Sequence, residues 1–78
     1  MIDYQNLKNS YIASIQMGMI LNAKYEEVKQ GNDLLHRFCE NCINNSNYCD
    51  YEKNNMKRDL ELVKQALSEE IEIRFHNG

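Results

Sequence analysis

The stretch Tyr11-Ile12-Ala13-Ser14-Ile15-Gln16-Met17-Gly18-Met19-Ile20-Leu21 decides the fold, because it is apolar at nearly every angle of a helical wheel. A helix on the surface of a small domain needs an apolar stripe on one side only, so a collar of this kind must be covered from several directions. Either other helices of the chain surround it, or other chains do. Upstream, Asp3 suits an N-cap, and Tyr4, Leu7, Tyr11, Ile15, Gly18, Leu21, Tyr25 and Val28 recur at steps of three and four. That spacing predicts one helix of roughly seven turns. Its first 23 residues carry two charged side chains, Asp3 and Lys8, whereas Lys24, Glu26, Glu27 and Lys29 crowd its end. The helix is expected to be dry in its middle and wet at its C-terminus.

Gly31-Asn32-Asp33 is the clearest punctuation downstream, since Gly suits the left-handed position after a helix and Asn or Asp caps the next one. A break or kink is expected there; the alternative keeps one helix running to about Cys42 and tolerates Gly31 at roughly 1 kcal/mol relative to Ala. Leu34, Leu35, Phe38, Cys39, Cys42 and Ile43 then give a short helix with its own apolar side, ended by the polar turn Asn44-Asn45-Ser46-Asn47. From Asn47 or Asp50 a last helix carries Met56, Leu60, Val63, Leu67, Ile71 and Phe75 as its stripe, widened by Leu62, Ala66 and Ile73. Glu61 with Lys64 and Glu70 with Arg74 stand at ion-pair spacing.

The expected fold is therefore all-α, an antiparallel helical hairpin or a three-helix bundle built as long helix, short helix, long helix, in one domain over residues 1–78. The absence of Pro and the presence of only three Gly, at 18, 31 and 78, agree with long helices and disfavour hairpins or barrels. At 78 residues the core is close to the lower limit for independent stability, so self-association, a metal or a partner is expected to help. A net charge of −3 lacks the basic surface of nonspecific nucleic-acid binding. The apolar run is too short for a membrane span and no basic segment with a cleavage site precedes it, so neither nucleic acid nor membrane is an expected partner. Three Cys, an odd number without a signal peptide, fit reduced thiols in a cytoplasm. Eleven Asn beside much Ile and Lys fit an AT-rich bacterial or phage genome.

His36, Cys39, Cys42 and Cys49 are four donors with one Cys-x2-Cys spacing, so a zinc-stabilised helical domain is one reading. The other is that Cys39 and Cys42 are small core residues, with a disulfide through Cys49 as a third. A Cys nucleophile beside His36 or His76 would need an oxyanion-hole loop and an orienting residue that no motif supplies, and no enzyme is expected. Glu26-Glu27 and Glu69-Glu70 read as solvated helix surface. Tyr11 and Tyr25 read as core residues with hydroxyls at the surface, Tyr48 and Tyr51 as an exposed anchor beside the turn. Tyrosines with Lys8, Lys24 or Arg37 would also suit a nucleotide-like ligand, which makes a small-ligand-binding or sequestering helical oligomer an alternative. Met17 and Met19 around Gly18 suit either core or a helix–helix contact, because flexible thioethers fit exchangeable surfaces and Gly permits close approach.

From Tyr51 through Asn54 and Met56 to Arg74-Phe75-His76-Asn77, about a third of the chain resembles the C-terminal helix of the small co-chaperones that guard type III secretion needle subunits. That resemblance implies a short helical hairpin that binds protein and has no catalysis. The leading expectation is a non-enzymatic protein-interaction module without cofactor, self-associating or sheathing a partner helix. It would serve as a chaperone or adaptor, or as a phage-type inhibitor of a host or defence protein. The partner-binding residues expected are Tyr4, Leu7, Tyr11, Ile12, Ile15, Met17, Met19 and Ile20.

Overall fold

A computed structural model describes residues 3–76; Asn77 of the C-terminal resemblance, and Gly78, lie outside them. Three helices follow one another: α1 Tyr4–Ile20, α2 Tyr25–Asn44 and α3 Asp50–His76. Asp3 caps α1 as its sequence implies, its carboxylate accepting from the backbone N–H groups of Gln5 and Asn6.

The first helix ends eleven residues before Gly31, which corrects the expected seven-turn helix. Asn22 takes a left-handed φ of 62°, the Asn22 N–H donates to the Met19 carbonyl at 3.2 Å, and the Ala23 N–H donates to the Gly18 carbonyl at 2.9 Å. This pair of reversed bonds is the Schellman closure of a helix, with Asn in the position where Gly is commoner. Arg74 of α3 adds a guanidinium donor to the Met19 carbonyl at 3.2 Å, so the negative end of α1 meets a cation from another helix. Gly31, by contrast, sits inside α2 with ordinary helical φ, and a Cβ there would stand 3.8 Å from Ile15 Cδ1. Asn32 does not cap a helix: it is buried, 2% exposed, in the bundle core. Asp33 pairs with Lys64 at 3.2 Å.

α2 ends at the expected polar turn, where Lys53 Nζ donates to the Asn44 carbonyl at 3.0 Å and Lys57 Nζ to Asn44 Oδ1 at 2.9 Å. Acidic Asp50 and Glu52 in the first turn of α3 and basic Arg74 and His76 in its last match the helix dipole. At about 1.5 Å per residue the 27 residues of α3 span about 40 Å. That is the long dimension of the 42 × 18 × 16 Å molecule.

Side-chain pairs set the directions. Tyr4 and Lys8 meet Asp59, and Arg74 meets Met19, so α1 runs parallel to α3. Asn44 meets Lys57, Asn32 meets Ser68 and Tyr25 meets Glu72, so α2 runs antiparallel to both. The result is an up-down-up three-helix bundle, with α2 and α3 packed most extensively. Its core is Tyr11, Ile15 and Met19 from α1, Val28, Cys39 and Ile43 from α2, and Leu60, Leu67 and Ile71 from α3. Met56, Val63 and Phe75 pack against it half-buried, as their stripe implies. Leu62, Ala66 and Ile73 do not widen that stripe but face out, and Leu21 drops from the α1 stripe in favour of Met19. The Glu61 and Arg74 side chains leave their expected helix partners for His36 on α2 and the Met19 carbonyl on α1.

Candidate functional site

Because α1 buries Tyr11, Ile15 and Met19, its opposite side carries Ala13, Met17, Ile20 and Leu21 into solvent, the last three 53%, 64% and 71% exposed. No residue from Asn9 to Ala23 is charged, so these side chains are framed by Ser10, Ser14, Gln16 and Asn22. On α2, Leu34 and Phe38 stand one turn apart and are 60% and 58% exposed. The eight expected partner-binding residues therefore divide. Met17 and Ile20 are exposed, Tyr4, Leu7 and Ile12 are half-buried, and Tyr11, Ile15 and Met19 belong to the core, out of reach of a second chain while the bundle is closed. Leu21, Leu34 and Phe38 are added by the structure. At the tip between α2 and α3, Tyr51 is exposed and Tyr48 half-buried.

Between α1 and α2 the small residues leave an open cleft of about 160 Å³, lined by Ser14, Gly18, Val28, Gly31, Leu35 and Glu27 among others. A Cβ on Gly18 would lie 3.9 Å from Val28 Cγ2 and 4.0 Å from Ala23 Cβ, ordinary contact distances. The cleft is shallow rather than crowded shut.

Polar groups inside the bundle act as fasteners. Asn32 receives the Tyr11 hydroxyl on its side-chain oxygen and donates through Nδ2 to Ser68 Oγ at 3.0 Å and to the Lys64 carbonyl at 3.3 Å, tying all three helices at one level. Burial, followed by the nearby Cys39, Asp33 and Glu61, pushes the Tyr11 phenol well above its ordinary value, so it stays a neutral donor. Tyr4 donates to Asp59 at 2.6 Å and Lys8 to the same oxygen at 3.0 Å. Those two hydrogen bonds hold the Asp59 carboxyl below its usual range, and burial together with Asp59 raises the Tyr4 phenol. His36, 5% exposed, has Nδ1 3.6 Å from Glu40 and Nε2 3.2 Å from Glu61. Its Nε2 lacks an aligned hydrogen bond among the described residues. Burial, with Cys42 adding to it, pushes the Cys39 thiol up to about 11, which keeps it a thiol and a core residue.

The four possible zinc ligands are dispersed. His36 and Cys39 are buried, Cys42 is half-buried, and exposed Cys49 donates its S–H to Glu52 at 3.2 Å. All three cysteines are free, and among the described residues no group of three or more His, Cys, Asp or Glu is placed to hold a metal ion. Small-ligand sites usually enclose about 300–1,000 Å³. The cleft beside Tyr25, Lys29 and Asp33 offers about 100 Å³, and the larger hollow of about 360 Å³ at Asn54, Lys57, Arg58 and Glu61 opens along one helix. Among the described residues no helix is long and apolar enough to cross a membrane.

Fold and surface together define a small three-helix bundle with an uncharged apolar outer side on its first helix. Comparison of the chain with known protein families, curated proteins and solved structures finds no match.

Proposed function

We propose that the protein is a non-enzymatic interaction module whose α1 outer side is covered by an apolar surface of another chain. The observation that carries this reading is the exposure of Met17, Ile20 and Leu21 on a helix without a charge from Asn9 to Ala23. Exposed helix positions are where charged residues are expected, and contiguous uncharged apolar surface is what contact sites use. A chaperone, adaptor or inhibitor acts through such a surface without a catalytic group, and the likeness of the last helix to needle-subunit co-chaperones favours the chaperone form. Free thiols at Cys39, Cys42 and Cys49 suit work in a reducing cytoplasm.

The test is retention by an immobilised tagged copy, from cells that also produce the untagged chain, compared with the double variant Ile20→Lys, Leu21→Lys. Both positions are exposed, so the variant is expected to melt within a few degrees of the parent. The reading expects at least one protein, untagged chain or other, to be retained by the parent and lost by the variant. Equal retention by both refutes it.

A further inference from the structure

The open side of the α1–α2 pair has an order that the core does not require. Ser10, Ser14, Met17 and Leu21 on α1, and Glu27, Gly31, Leu34 and Phe38 on α2, each follow the four-three-four spacing of a helix seam. In each row the small residues fill the N-terminal half of the helix seam and bulky apolar residues the C-terminal half, Glu27 being the exception in size. Because α1 and α2 are antiparallel, with Gly31 level with Ile15 and Val28 with Gly18, the two bulky halves lie at opposite ends of the groove. Met17 and Leu21 stand at one end beside Glu27 and Ala23. Leu34 and Phe38 stand at the other beside Ser10. A two-fold rotation exchanges bulky with small halves, so this surface is complementary to itself, the requirement of an isologous contact.

The geometry points to a second copy of this chain docking on the α1–α2 side, two helix pairs stacking into a four-helix layer with each α3 on the outside. The inference rests on the interaction reading above and names its partner. Area is compatible with it. Met17, Leu21, Leu34 and Phe38 are 53–71% exposed, and side chains of their size carry on the order of 150–200 Å² each, so they supply roughly 400–500 Å² per copy. That is over half of the ~800 Å² per partner of a stable interface, and the Ser14–Gly18–Gly31–Leu35 floor of the cleft supplies more. Charge is compatible as well: α1 contributes none from Asn9 to Ala23, and Glu27 is the charged residue among those lining the cleft. The apolar row on α3, Leu62, Ala66 and Ile73, has no second helix beside it bearing a matching row of exposed bulky residues, and its use against the groove would propagate head to tail.

Sedimentation equilibrium on the full chain, from about 1 to 500 μM, tests this. The parent is expected to reach twice the chain mass. Met17→Lys and Leu34→Glu, each at an exposed position, are expected to raise the dimer dissociation constant at least 100-fold while keeping parental helicity, and Ile73→Lys on α3 is expected to leave it unchanged. A parent that stays monomeric overturns the proposal, as does a dimer broken by Ile73→Lys and not by Met17→Lys and Leu34→Glu together. A monomeric parent that still retains another protein through Ile20 and Leu21 overturns the dimer alone and leaves the interaction reading standing.

Discussion

Removing the Asn32 side chain is the sharpest test of what holds the three helices in register. Asn32 is 2% exposed and joins Tyr11 on α1 to Ser68 and the Lys64 carbonyl on α3. A net hydrogen bond contributes about 0.5–1.5 kcal/mol, so losing the Tyr11 and Ser68 bonds and the longer one to Lys64 costs about 2–3 kcal/mol. The small void left by Asn32→Ala brings the expected loss to about 3 kcal/mol. For a domain of this length the whole stability is on the order of 4–12 kcal/mol, so the effect is large. Tyr11→Phe is expected to cost less, about 1 kcal/mol, because it deletes one donor and leaves no large cavity. The Tyr11 hydroxyl also reaches the Asn32 backbone carbonyl at 3.3 Å, which gives it a fallback partner in Asn32→Ala. Urea unfolding of parent, both single variants and the double variant closes a cycle. With that fallback the structure demands a coupling of up to about 1 kcal/mol between the two positions; losses that add to within ~0.3–0.5 kcal/mol refute the claim that the Tyr11–Asn32 side-chain hydrogen bond contributes to stability.

Asn22→Val is expected to destabilise by about 1–2 kcal/mol in the same assay, because a β-branched residue resists the left-handed φ, whereas Asn22→Gly is expected to be neutral or stabilising. Leu60→Ala, at a fully buried position, is expected to cost ~2–5 kcal/mol, against less than ~0.5 kcal/mol for the exposed Ile20→Ala. Since Asp59 has a depressed pKa in the folded state, its contribution is present above the unfolded carboxyl value near ~4 and is lost as pH falls through the folded value. Asp59→Asn should therefore flatten the acid limb of a melting-temperature profile. With iodoacetamide at neutral pH, Cys49 is expected to react first and Cys39 only on unfolding, as read by intact mass.

Much of the bundle is legible in the chain. Leu60, Leu67 and Ile71 fall on one helical phase and are buried, and Asp3 caps the helix it precedes, because periodicity and capping are local physics. The position of the break is not legible by the same route. Gly31 attracts attention because Gly enters the left-handed region freely, yet here it keeps helical φ inside α2, where a Cβ would meet Ile15 at an ordinary 3.8 Å, and it is Asn22 that turns the chain. The choice depends on whether the helix end finds partners for its last carbonyls, and one of them, Arg74, is fifty-five residues away from Met19. Likewise Asn32 and His36 share the phase of Val28 and Ile43, and a polar residue on an apolar phase reads as cap or ligand until the third helix supplies Ser68 and Glu61. The candidate surface was half visible: the dry α1 is plain in the sequence, but which of its side chains face outward depends on how many helices cover it.

The outer side of α1 is not a by-product of folding. A three-helix bundle asks α1 for an inward stripe, which Tyr11, Ile15 and Met19 fill with Tyr4, Leu7 and Ile12 at its edges. Its remaining positions are free to carry Lys or Glu, as the outer positions of α3 do at Arg58, Glu69 and Glu70. Charges there would raise solubility and oppose association at no loss to the core. Instead, Ala13, Met17, Ile20 and Leu21 stand exposed, and the adjoining α2 row adds Leu34 and Phe38 where charge would serve a lone bundle better. Two helices depart from the expected surface pattern while α3 keeps most of its outer positions polar, and it is on this departure, which the fold itself does not require, that the proposed contact with another chain rests.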